Sequence, residues 1–290
     1  MTQLFLPLVA SVLGTWVLAP AARRIRPHHG SWLAASVILS VFVTVVVTAW
    51  AVVLAVLAHD PAVHGVLGWC PHLLGLDHAP PRLLGALALI VGCWGTFRVV
   101  TVGAEWRRGR GDTGGDVEVL DTDVPLAYAQ TGGRAGIVVS TGMLALLEDD
   151  EQQAMLAHER AHLRHRHDRF LVVARLAAGI PPLLPAAAQL RRCLERWADE
   201  DAAQEMGERA VVARAIARAA LSGQPRPEAA LALLGTDVTG RVEALLQPAT
   251  SGGLAAAWTT AGVTAGLAAV AAASLQLHHL AAVFTVLCTA

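Results

Sequence analysis

The 290 residues are 54% apolar and only 16% charged, with a formal net charge of −1. Near-neutral charge gives no reason to expect a nucleic-acid partner, and the shortage of charge implies that much of the burial is in lipid. All 22 basic residues are Arg, and Lys and Asn, both encoded by AT-rich codons, are absent, which marks a GC-rich gene and suggests a bacterial source.

A helix needs about 20 apolar residues to cross the hydrocarbon core, and four stretches qualify. Residues 4–22 (LFLPLVASVLGTWVLAPAA) carry no charge, and residues 32–58 (WLAASVILSVFVTVVVTAWAVVLAVLA) are the clearest case. The third runs over about residues 83–102, with Arg98 near its end, where it can snorkel to the interface. The fourth, residues 254–277, is rich in Ala and Gly, as suits close packing between membrane helices. The first reads as an uncleaved anchor, because no positive charge precedes it and Arg23, Arg24 and Arg26 follow it.

Arginines also cluster after the third stretch, at Arg107, Arg108 and Arg110. By the positive-inside rule the N-terminus and the loop over residues 59–82 face out, and the segment over 103–253 lies in the cytoplasm. The expected organisation is a membrane region at 1–102, a cytoplasmic domain at 103–253, and a C-terminal span and tail at 254–290 of a multi-pass protein in a bacterial cell membrane. Cys70, Cys93, Cys193 and Cys288 show no CxxC spacing and read as structural.

Strand-like runs open the cytoplasmic segment at Val117 (VEVL), Pro125 (PLAYAQ) and Gly136 (GIVVST), with a Gly-rich hairpin turn, TGGRAG, between the last two. A short helix follows with Ser140 or Thr141 as its N-cap. A longer one, EQQAMLAHERAHLRHRHDRFLVVARLA, is expected with Asp149 or Asp150 as its cap and meets no Gly or Pro until Gly179. After Pro181, Pro182 and Pro185 another helix begins near Ala186. The apolar run from Phe170, with its Arg175 and prolines, suits an interfacial position better than a full span.

HERAHLRHRHD, over 158–168, holds four histidines. On a helix His162 stands about 40° round from His158 and about 6 Å along, so both rings can converge on one ion. His165 lies about 10.5 Å from His158 along the axis, and His167 points roughly opposite on an intact helix. Both therefore read as surface or substrate-side groups. Glu159, about 100° from His158, can hold a water beside the ion. His158-Glu159-Arg160-Ala161-His162 thus matches the HExxH pattern of zinc hydrolases, with two ligands and a general base. A catalytic zinc commonly takes three protein ligands, and Glu195 is the candidate third. Asp199, one turn later, can accept the free N–H of a ligand histidine. Spacing alone leaves an alternative, in which Glu195, Glu200 and Asp201 solvate a helix and pair with Arg191, Arg192 or Arg196.

AYAQTGGRAGIVVSTGMLALLEDDEQQAMLAHERAH, followed by ERWAD, resembles the gluzincin-type integral-membrane zinc metallopeptidases. It is similar to the branch containing the beta-lactam-sensing signal transducers, antirepressors that clear a transcriptional repressor. CAAX-processing and heat-shock membrane peptidases share a related pattern. The resemblance covers about residues 117–205 and implies a mainly α membrane protein. About four transmembrane helices would carry a cytoplasmic α+β zincin-like domain with a small β-sheet. It further implies Zn2+ on His158, His162 and Glu195, with Asp199 as the supporting acid and Glu159 as the base. It also implies an exposed edge strand, Gly136, Ile137, Val138, Val139 and Ser140, that takes an extended peptide by strand addition. No SxxK motif is present, so direct antibiotic sensing is not expected.

The expected activity is endopeptidase cleavage of a cytoplasmic or membrane-proximal protein, with a repressor as one candidate. A non-catalytic membrane transducer and a CAAX-type or quality-control protease are the alternatives.

Overall fold

The computed structural model describes residues 26–62, 81–108, 117–130, 136–222 and 237–247. The first and fourth expected spans, the Gly-rich turn, Cys70 and Cys288 lie outside the described residues.

Two long helices come first, α1 (Pro27–Ala58) and α2 (Arg82–Arg108). Pro27 suits the first helical turn, where its missing N–H costs nothing. Both are long and apolar enough to cross a membrane, with mean hydropathy of 2.7 and 1.9 in their most apolar windows. They run antiparallel, and the seam is made by small residues of α2: Gly85, Ala88, Gly92 and Gly95 are buried, one turn or so apart. A Cβ on Gly85 would come within 2.8 Å of Val56 Cγ2, and one on Gly95 would collide with Val46. The opposite face of α2 exposes Leu83, Leu87, Ile90, Phe97 and Val100, and Cys93 is exposed as well rather than buried.

A three-stranded sheet follows, made of β1 (Val117–Leu120), β2 (Ala127–Ala129) and β3 (Ile137–Ser140) in the order β1-β3-β2. The hairpin pairs β2 with β3 antiparallel, Tyr128 opposite Val138. β1 pairs with the other side of β3, parallel, Val117 opposite Ile137. This corrects the expectation for residues 136–140. That strand is the centre of the sheet and buried throughout, its ladder groups already engaged on both sides, so it cannot accept an added strand. Alternating hydrophobicity cannot distinguish a central strand from an edge when the strand is four residues long.

The remaining elements are helical: α3 (Thr141–Leu146), α4 (Asp149–Arg164), α5 (His167–Leu176), a 3-10 turn (Pro181–Leu183), α6 (Leu184–Met206), α7 (Arg209–Leu221) and α8 (Val238–Leu246). Ser140 caps α3: its Oγ accepts the Met143 N–H at 3.0 Å and the Leu126 N–H at 2.8 Å. The N-cap of α4 is Glu148 rather than an aspartate, and its N–H donates to the Glu151 carboxylate at 3.1 Å. The single long helix expected here breaks at Arg166, which is left-handed (φ 50°, ψ 52°).

Two apolar cores are the largest among the described residues. One joins Leu33, Ile38, Val41 and Phe42 of α1 to Phe170 of α5 and to Leu190 and Leu194 of α6. The other packs Ala154 and Ala157 of α4 on Ala202 of α6, Val211 and Val212 of α7 and Leu245 of α8. Helix α6 takes part in both cores and α4 in the second, and the site lies where these two helices face each other.

Candidate metal centre

His158 and His162 occupy successive turns of α4, and their Nε2 atoms face each other at 3.1 Å. From α6, Glu195 reaches His158 Nε2 with Oε2 and His162 Nε2 with Oε1, both at 3.7 Å. The three side chains form the one group among the described residues whose donor atoms converge as metal ligands do, all within 4.8 Å. Tetrahedral bonds of about 2.0–2.1 Å space ligand atoms roughly 3.3–3.4 Å apart. Two imidazoles and a carboxylate at these separations fit such an ion.

The surroundings are built as carefully as the three donors. His158 Nδ1 lies 2.9 Å from Asp199 Oδ1, so Asp199 fixes that ring from behind. Glu159 is buried beside the pair, and its carboxylate makes no hydrogen bond among the described residues. Glu195 and Asp199 are buried, Glu200 pairs with Arg209, and Asp201 binds His165 at 2.6 Å.

Sequence reasoning missed Arg241. From α8 its Nε and Nη2 grip the two oxygens of Asp199 at 2.8 and 2.7 Å, and its Nη1 lies 2.9 Å from Glu195 Oε2. The one local signal was an arginine four residues before Leu245 on the buried side of a short helix. Burial pushes the Glu195 carboxyl up, but Arg241 and the two histidines outweigh it and hold it at about 2. Burial pushes Asp199 up as well, but Arg241 and His158 outweigh it and lower it. Burial disfavours the charged form of His158, yet Asp199 and Glu195 prevail and raise it to about 10. Burial lowers His162.

The two remaining histidines depart from expectation. His165 is half-buried, stacked on Trp197 with centroids 4.3 Å apart. His167 is 1% exposed and not a surface group at all. Because α4 ends and α5 restarts across Arg166, the His167 ring comes back to within 2.8 Å of His162, Nδ1 to Nδ1. Burial, with His162 and His165 beside it, pushes His167 down to about 2.

A helical domain with two histidines and a glutamate converging at the junction of its cores is the build of a metallohydrolase. The comparisons agree. The family model for peptidase family M48 matches residues 109–220. A protease HtpX homolog of Thermoplasma acidophilum is 41% identical over 71 residues, 24% of this chain and 21% of that protein. One from Acidiphilium cryptum is 38% identical over 65 residues, 22% of this chain and 23% of its own length. The plastoglobule-localized metallopeptidase 48 of Arabidopsis thaliana is 38% identical over 89 residues, 28% of this chain and 26% of its own length. The chain therefore spans about a quarter or less of the length of the curated relatives it matches. No solved structure matches. These likenesses support a metallopeptidase of the M48 type.

Proposed function

We propose that the protein is a membrane-embedded zinc endopeptidase that cleaves a cytoplasmic or membrane-proximal protein. The observation that carries the reading is the convergence of His158 Nε2, His162 Nε2 and Glu195 on one point, with Asp199 behind His158. Bound there, zinc supplies Lewis acidity for the scissile carbonyl and acidifies a water. His158, His162 and Glu195 would hold the ion. Glu159 takes the proton of the attacking water on its carboxylate and passes it to the leaving amine. Arg241 and Asp199 keep Glu195 ionised and His158 oriented.

The sheet edge beside α4 is β2, not β3, so an extended substrate would add along Ala127–Ala129. Position supports a membrane-proximal substrate. Helix α5, directly after the metal helix, packs on the two apolar helices, with Phe170 against Trp32 at 4.9 Å and Arg175 beside Glu105 at 3.4 Å. A transcriptional repressor is the substrate class suggested by the resemblance to the beta-lactam sensors.

The decisive experiment compares purified wild type with Glu159→Ala and with His158→Ala/His162→Ala. Glu159→Ala is expected to bind about one zinc per chain and to lose cleavage of the host-membrane proteins that wild type cleaves. The double variant is expected to bind none. Zinc retained by the double variant overturns the ligand assignment. Cleavage surviving in Glu159→Ala overturns the base and favours a different chemistry.

A further inference from the structure

We propose that His167 is a positioning residue for this metal site: its neutral imidazole accepts the Nδ1–H of His162 and fixes the ring orientation in which His162 Nε2 faces the ion. The inference rests on the metallopeptidase reading above and adds a residue to it.

A hydrogen bond between two ring nitrogens needs one donor and one acceptor. His162 turns its Nε2 towards His158 Nε2 and Glu195, and a neutral histidine that ligates through Nε2 carries its proton on Nδ1. That N–H must donate, so His167 Nδ1, 2.8 Å away, is the acceptor. The rings stand nearly perpendicular, at 87° with centroids 4.7 Å apart, so the two nitrogens meet edge to edge rather than by stacking. The proton of His167 then sits on Nε2, which is buried and has no hydrogen-bond partner among the described residues. A ring that exists only to fill space would be better served by an apolar one, since an unsatisfied buried donor is destabilising. The useful half of this imidazole is the half that meets His162.

The backbone is shaped to deliver it. On a straight helix a residue five positions on stands about 140° away from His162. The left-handed Arg166 interrupts the helix and returns the next side chain to the site (φ 50°), a conformation that non-glycine residues seldom adopt. Phe170 and Trp197 then hold the ring from its other faces, with centroids 6.4 and 5.0 Å away. Each ligand ring thus has a partner behind it: Asp199 Oδ1 lies 2.9 Å from His158 Nδ1, and His167 Nδ1 lies 2.8 Å from His162 Nδ1. A neutral acceptor braces the second ring without placing another carboxylate beside Glu195 and Asp199.

The test measures zinc affinity of the full chain in detergent, by competition with a chromophoric chelator, for wild type, His167→Leu, His167→Asn and His167→Gln. Asparagine can place its amide oxygen where Nδ1 stood, whereas glutamine reaches past it. Loss of such an acceptor typically weakens metal binding about 10–100-fold. That weakening is expected in His167→Leu, with recovery to within a few-fold in His167→Asn and not in His167→Gln. Imidazole nitrogen NMR of the zinc-loaded protein is expected to show the His162 Nδ1 proton in a hydrogen bond that His167→Leu abolishes. A folded His167→Leu that binds zinc as tightly as wild type overturns the inference. If His167→Leu does not fold, equal affinity of the Asn and Gln variants overturns it instead. Wild type that binds no zinc is a separate outcome, which removes the metallopeptidase reading itself.

Discussion

At the level of single residues the site is held together by one guanidinium. Arg241 is 7% exposed and faces two buried carboxylates. Removing one partner of such a group leaves uncompensated charge, at a cost of about 3–5 kcal/mol. Arg241→Met is therefore expected to lower the unfolding temperature of the zinc-free protein sharply, and added zinc should restore part of the loss by neutralising Glu195. Arg241→Lys keeps the charge but cannot grip both oxygens of Asp199, and should fall between the two. Equal melting of Arg241→Met and wild type would show that α8 does not pack as described.

The protonation of His158 has its own signature. Its pKa is raised on folding to about 10. Stabilisation from such a group is complete below the unfolded value of about 6.5 and lost as the pH climbs through the folded one. A metal takes the neutral ring, so binding near neutral pH must displace that proton. Zinc affinity is expected to rise with pH across this window, and titration calorimetry in buffers of different ionisation heat should register the released proton. An affinity independent of pH would refute this.

At the level of elements, Ser140 shows how one side chain joins a strand to a helix. It is fully buried, and its hydroxyl oxygen accepts two backbone N–H groups, from Leu126 and Met143. Losing an N-cap costs about 0.5–2 kcal/mol. The second stranded donor places Ser140→Ala near the upper end, about 2 kcal/mol, read in a denaturant titration. The same variant should leave substrate affinity unchanged, since the residue lies on the central strand. A raised KM with unaltered stability would return the substrate role to this strand.

Local pattern marks the three described strands and, in outline, α1 to α4 and α6, but gives no bounds for α7 or α8. It placed neither the order β1-β3-β2 nor the break at Arg166, because parallel pairing joins segments distant in sequence and a single left-handed residue leaves no mark on a hydrophobic pattern.

At the level of the whole molecule, the metal domain and the two long helices share one core. Leu33, Val37 and Val41 of α1 pack with Leu183, Leu190 and Leu194, so the domain cannot be lifted away without opening apolar surface. The outward face of α2 has no protein cover among the described residues, with Ile90 65% exposed. An arginine near the middle of a membrane helix costs about 2.5–3.5 kcal/mol. Ile90→Arg is expected to lower the yield of membrane-integrated protein in the alkali-resistant pellet, with α1 still anchoring the remainder. Wild type that is itself extracted at high pH would mean that α2 does not span.

Local sequence alone determined the apolar helices and the HExxH turn, and it offered Glu195 and Asp199 as candidates without settling them. These depend on spacing along one helix or on long uninterrupted runs, both visible in a string of letters. The tertiary structure alone decided that Glu195 closes on the two histidines, that Arg241 lies behind them and that His167 returns to His162. Each of these contacts joins elements brought together only by packing or turns on one backbone angle, and neither has a period to read.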